Sequence, residues 1–283
     1  MPIVNQLTLF SSLLAFAGAL YFALGVRFWQ SRWSESASSS LSIRTIRVEK
    51  FLVGITMVVH ATALQGLLFG GEGLQFSFAL AFCLMGWLAV LIYWLESFQV
   101  NMDGIQPIVL LSAALAAFLP LVFPDTHTVV HFAAPSFRFH FLVAMLAYGF
   151  FALAAAQAIF MGVLGRRLHS PRSFSRRVDS MPPLLALESL LFRILNIAFV
   201  LLTLALGSGL LYSEEIFGRA FTFDHKTVFG IISWFIFAIL LLGRYIYGWR
   251  GKRALKWTLA GFFALFLAYV GSQFVLEVIL GRA

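Results

Sequence analysis

Apolar runs of membrane-crossing length alternate with short polar loops along the whole chain, and no other feature constrains its fold as tightly. Eight runs stand out: Leu7–Val26, Phe51–Gly70, Phe76–Leu95, Pro107–Phe123, Phe139–Leu164, Leu195–Tyr212, Thr227–Tyr245 and Trp257–Ile279. Each lies near the roughly 20 residues a helix needs to cross hydrocarbon. A mean hydropathy of +0.91, with 61% hydrophobic and 11% charged residues, excludes a water-soluble globule, because the polar side chains could not cover such an interior. In lipid every backbone group has to be satisfied within the protein, and long runs without period-two alternation select helices over a barrel. The expected fold class is all-α: a polytopic membrane protein of eight transmembrane helices, a single integral domain over residues 1–283 with no soluble domain left over.

Charge sets the expected orientation. If the loop after the first run is cytoplasmic, alternation puts 16 of the 20 Lys and Arg inside and leaves Arg138, Arg219, Lys226 and Arg282 outside, as the positive-inside bias requires. Both termini then face out. The first run has no basic segment before it, and Arg27, Arg32, Arg44, Arg47 and Lys50 follow it, so it reads as a retained span and not a cleaved signal. A pI near 10.1 is explained by this topology and by anionic head groups of the lipid bilayer, and no nucleic-acid partner is expected. Trp29, Trp33, Trp94, Trp249 and Trp257 fall at the same interface, whereas Trp87 and Trp234 lie within spans. Cys83 is the only cysteine, so there is no disulfide and no thiol pair for redox or iron–sulfur chemistry.

Two loops carry further information. Ser34–Ser42 is serine-rich and too polar to pack. After the cluster Arg166–Arg177 and the pair Pro182-Pro183, residues Leu184, Leu187, Leu190 and Leu191 recur at helical spacing around Glu188, which predicts a short amphipathic helix on the cytoplasmic membrane face leading into the sixth span. Gly207 and Gly209 in that span are expected to allow close helix packing. There is no phosphate loop, paired carboxylate, nucleophile with its base or HExxH motif, so the chain is not expected to be an enzyme.

Six histidines are the candidate ligands. His140 opens the fifth run and His225 the seventh; both helices run from outside to inside, so the two imidazoles are expected at similar depth near the outer interface. As neutral ligands on neighbouring helices they can supply the axial positions of a haem iron, with haem b between phenylalanine-rich walls; the plainer reading is two interfacial anchors. His60 lies mid-span, where an ionisable residue is either functional or hydrogen-bonded to a neighbouring helix. His127 and His131 have i, i+4 spacing but are bracketed by Pro124 and Pro135 and read as loop residues, and His169 is cytoplasmic. Asp224 reads as an N-cap of the seventh helix, while Lys226 and Arg138 are the outer cations placed to meet haem propionates.

From His140 onward the chain resembles the cytochrome c assembly family, the CcsA-like and HemX-like haem-handling group. The resemblance rests on His140-Phe141, Ala147-Tyr148, Pro183-Leu184, Leu187-Glu188, Phe199, Thr203, Gly209, Asp224-His225-Lys226, Trp234, Arg244, Gly248-Trp249-Arg250-Gly251, Arg253-Ala254, Gly261-Phe262 and Tyr269-Val270-Gly271. It is strongest over residues 139–273 and is nearest to an eight-span branch of bacterial inner-membrane proteins. Members that deliver haem to apocytochrome c carry a tryptophan-rich outer segment ending in Trp-Asp-Pro-Lys-Glu. The corresponding stretch here, Phe217–Thr227, keeps Asp224 and Lys226 but has no tryptophan, and His225 stands in place of the proline. Leucines occupy the position where the family has a membrane histidine before the arginine matching Arg244. His140 matches the family's first outer histidine, whereas His225 and His60 are inferred from position.

The function this implies is a non-catalytic haem-binding or haem-handling protein of the bacterial inner membrane, with a role in cytochrome biogenesis. The alternatives are a membrane interaction or regulatory subunit that has lost haem delivery and works with another inner-membrane protein, and an ion or small-solute transporter with His60 in its path.

Overall fold

The computed structural model describes residues 2–33, 42–71, 73–129, 132–168, 183–211 and 225–268. These form eight helices: α1 (Pro2–Trp33), α2 (Ile43–Phe69), α3 (Phe78–Glu96), α4 (Gln106–Val122), α5 (Pro135–Leu168), α6 (Leu184–Leu211), α7 (His225–Tyr247) and α8 (Gly251–Phe266). The all-α expectation holds, with one small addition. Strand β1 (Gln75–Phe76) pairs antiparallel with β2 (His127–Thr128), tying the α2–α3 connection to the α4–α5 connection. Six helices, α1, α2, α3, α5, α6 and α7, are long and apolar enough to cross a membrane, which makes the chain a multi-pass membrane protein. The 17-residue α4 is apolar but shorter, and α8 is described over 16 residues.

Most helices outrun the apolar segments that announce them, because a helix has no reason to stop where hydrocarbon does. The first continues through Arg27 and Arg32, and α8 takes Lys252, Arg253 and Lys256 into its opening turns. Ser42 and Ser77 cap α2 and α3, their hydroxyl oxygens accepting from the amides of Thr45 and Leu80, one of the free donors of a first turn in each case.

Two four-helix bundles emerge from the packing. In the first, α1 packs on α2 and α4, and α3 on α2 and α4; in the second, α5 packs on α6 and α8, and α7 on α6 and α8. Each is therefore a closed ring of neighbours in sequence order, as in an up-and-down bundle. The bundles join where α5 packs on α3 and α4. Small residues allow the closest approaches: a Cβ on Gly86 would stand 2.8 Å from Ala116, and one on Gly149 2.6 Å from the Cβ of Leu88. Indole donors bridge helices, from Trp87 to the Met57 carbonyl, Trp94 to the Lys50 carbonyl and Trp234 to the Thr203 hydroxyl, as polar groups within spans commonly do.

Basic helix ends gather at one end of the molecule. The Arg32 guanidinium donates to Glu49 at 2.6 Å and to Asp103 at 3.3 Å, linking the end of α1, the start of α2 and the α3–α4 connection. Arg167 of α5 lies over the Trp33 ring, Arg193 of α6 pairs with Glu96 of α3, and Arg244 of α7 reaches Glu188 of α6 at 2.8 Å. The β1–β2 ladder closes the opposite end.

Two expectations are corrected. The short helix expected around Leu184–Leu191 is not separate from the sixth span, because Leu184–Leu211 is one continuous helix. Its leucine spacing was helical, but Leu187, Leu190 and Leu191 are buried in the core, and Gln157 of α5 donates to the Leu187 carbonyl at 2.8 Å. Nor does Gly207 mediate close packing, since a Cβ there would meet nothing within 4 Å. Gly209 does, against His140.

Candidate functional site

The second bundle has its rings at mid-height and its histidines at one mouth. Diagonally opposed α5 and α7 meet through Phe151 and Phe237, whose stacked rings lie 4.0 Å apart. His140 stands 11 residues before Phe151 and His225 12 residues before Phe237, or about 16 and 18 Å above the stack at the helical rise of 1.5 Å per residue. The two histidines thus sit at matching heights on helices that run in the same direction.

His140 is held in place. Its Nδ1 lies 3.0 Å from Ser208 Oγ, on α6. The Ser208 hydroxyl itself donates to the Ala205 carbonyl at 3.0 Å. The Ala205 carbonyl is a hydrogen-bond partner of the imidazole as well, so two groups of α6 hold the ring. Hydrogen bonds of this kind fix the orientation of an imidazole, as they do for metal-binding histidines. Gly209 supplies clearance, since a Cβ there would come within 3.3 Å of His140 Cε1. Ser208 was not among the expected residues; the signal was a hydroxyl between Gly207 and Gly209 in a largely apolar span.

The remaining candidates divide by location. His225 is the first residue of α7 and is exposed, and Lys226 beside it is half-buried. Arg138 is turned elsewhere: its Nε donates to the Phe132 carbonyl at 2.9 Å and its guanidinium covers the Phe132 ring. Two residues before His140, it lies on another side of the helix. Asp224 lies outside the described residues, and with it the expected cap, as do His131 and His169. His127 belongs to β2 and not to a helix.

His60 belongs to the first bundle, so the structure does not bring it together with His140 and His225. It is fully buried. Its Nε2 lies 3.1 Å from Cys83 Sγ of α3, and Tyr21 of α1 meets its ring edge-on at 5.6 Å. Among the described residues, none is a hydrogen-bond partner of His60 Nδ1 or of the Tyr21 hydroxyl.

Sequence reasoning passed over a polar centre at the basic end. Arg32, Glu49, Asp103, Gln106, Lys50 and Tyr93 line a cavity of about 300 Å³ there. Gln106 donates to Asp103 at 3.0 Å and accepts from the Gly104 amide at 2.6 Å, while Trp33 donates to the Gly104 carbonyl at 2.9 Å. The only available signal was the presence of lone acids, Glu49 and Asp103, at span boundaries.

The fold and this mouth define a helical multi-pass membrane protein with an oriented imidazole at the end of a four-helix bundle. The chain belongs to the cytochrome c assembly protein family, whose profile matches residues 54–280. It is 34% identical over 172 residues to the inner membrane protein YpjD of Escherichia coli, covering 60% of this chain and 62% of that protein. Against the cytochrome c biogenesis protein CcsA of Prochlorococcus marinus it is 29% identical over 193 residues, covering 60% of this chain and 61% of the relative. A CcsA from Cyanophora paradoxa matches at 36% over 85 residues, covering 30% and 26%. The matched stretch thus spans less than two thirds of each of these relatives.

Proposed function

We propose that the chain is a haem-binding or haem-handling protein of the bacterial inner membrane, acting without catalysis in cytochrome c biogenesis. The observation that carries this reading is the His140 imidazole, anchored through Nδ1 by Ser208 and given clearance by Gly209. The residues fit haem b: the His140 imidazole would be one iron ligand, His225 at matching height the second, and the apolar bundle below would meet the macrocycle. Bound haem would supply an iron centre that His140 and His225 would hold, and Lys226, next to His225, is the cation placed to meet its propionates; Asp224 and Arg138 are candidates from their positions in the sequence alone. His60 is a second candidate of lower rank, because Tyr21 and Cys83 already enclose its ring.

The same reading takes the chain as one integral domain with eight spans, both termini outside and the His140 mouth on the outer face. It is supported by the gathering of basic helix ends opposite that mouth and by membership of the family. Its test is an absorption spectrum of the detergent-solubilised protein from haem-replete cells. A Soret band that weakens in His140→Ala is expected; a colourless preparation would overturn the haem assignment.

A second reading, a membrane interaction subunit that has lost haem delivery, draws on the absence of tryptophan from Phe217–Thr227. It predicts co-purification with another inner-membrane protein and indifference to His140→Ala.

A further inference from the structure

Among the described residues, the corner between α7 and α8 gathers more cations than the carboxylates paired with them. Gly248, at φ +63°, ends α7 with its amide on the Arg244 carbonyl, and Gly251, at φ +56°, opens α8, both in the left-handed region that glycine adopts without strain. Five cations fall within residues 244–256: Arg244, Arg250, Lys252, Arg253 and Lys256. Glu188 faces Arg244 at 2.8 Å and Arg250 at 3.6 Å. Among the described residues, no carboxylate lies within ion-pair distance of Lys252, Arg253 or Lys256, and all three are exposed.

These cations lead onto an apolar strip. Lys252, Lys256, Ala260 and Phe263 follow at helical spacing and are all exposed, Phe263 to 62%, so one face of α8 changes from cationic to apolar over about 16 Å. Beside it, Trp249 and Trp257 have ring centroids 5.5 Å apart, and the Arg253 guanidinium lies over Trp249 at 5.1 Å. Because α7 is of spanning length, its end lies at a membrane–water interface, where indoles anchor and a head group meets acyl chains.

We propose that this corner is a binding site for an anionic phospholipid. Lys252, Arg253 and Lys256 hold its phosphate, and its acyl chains lie along Ala260 and Phe263. A diffuse cationic surface would attract any anionic lipid weakly; here head-group and chain contacts follow one another along a single helix face, with an arginine plane set by a tryptophan. The proposal is independent of haem binding.

The test is lipid retention by the purified full-length chain, exchanged into mixed micelles with phosphatidylglycerol, cardiolipin or phosphatidylcholine and read by native mass spectrometry. The two anionic lipids are expected to be retained over phosphatidylcholine, and high salt should erode the preference. K252Q/K256Q is expected to weaken retention about 30-fold, at about fivefold for each charge near the surface, and K252R/K256R to restore it. Equal retention of phosphatidylcholine, an unchanged K252Q/K256Q, or an equal loss in R44Q/R47Q at the exposed start of α2 would overturn the site. Inorganic phosphate displacing the lipid at matched ionic strength would reassign it to a soluble phosphate. Should K252Q/K256Q not assemble, the lipid preference and salt dependence of the unmodified chain decide.

Discussion

At the scale of single residues, hydrogen bonds and ion pairs distinguish a positioned side chain from an anchor. His140 is positioned by the Ser208 hydroxyl, 3.0 Å from its Nδ1. Ser208→Ala removes that partner, so haem affinity is expected to fall roughly 10-fold or more. Haem titration followed by absorbance checks this, and the secondary structure should be unchanged by circular dichroism. Glu188 shows the reverse dependence, of cations on an acid. Glu188→Ala strands the half-buried Arg244 and is expected to cost about 2 kcal/mol, less than a fully buried pair would lose, measured by thermal unfolding in detergent. Arg32→Ala removes the guanidinium that pairs with both Glu49 and Asp103 and should cost more, about 3 kcal/mol. A loss in Arg32→Ala no larger than that of an exposed arginine such as Arg47 would show that the polar centre contributes nothing.

At the scale of elements, packing decides which glycines matter. Gly261 of α8 lies against Phe237, where a Cβ would stand 2.7 Å from the ring, and Phe237 in turn stacks on Phe151. Gly261→Val is therefore expected to disturb the α7–α8 contact and the ring stack together, lowering stability by about 1–3 kcal/mol. Gly207→Ala, in open space, should be neutral or slightly stabilising through helix propensity. Equal effects of the two substitutions in a thermal-shift assay would contradict the packing described for α6 and α8. The sequence showed neither the difference between these glycines nor the burial of Leu187, Leu190 and Leu191, because helical spacing reveals that a face exists and not what covers it.

At the scale of the whole molecule, alternation of the eight described helices brings the basic ends together on one side and the β1–β2 ladder with the His140 mouth on the other. Single cysteines test whether these are the two faces of a membrane. Native Cys83 is buried and should resist a membrane-impermeant maleimide. Arg47→Cys and Asp125→Cys, both exposed, are expected to react from opposite sides of sealed vesicles, Asp125→Cys from the outer face. Labelling of both from one side would reject the topology.

What the chain determined by itself was its solvent and its class. Lipid demands long apolar helices, and that demand is written in continuous runs and in the positions of lysine and arginine, both local properties. The resemblance carried by His140, Gly209, Gly248-Trp249-Arg250-Gly251 and their neighbours placed the family. Only the tertiary structure decided which groups meet: Arg32 with Glu49 and Asp103, His140 with Ser208, and His60 with Cys83 and Tyr21 in a different bundle from the other candidates. Those pairings join residues tens of positions apart through the order in which helices pack, and neither hydropathy nor spacing along one helix encodes that order.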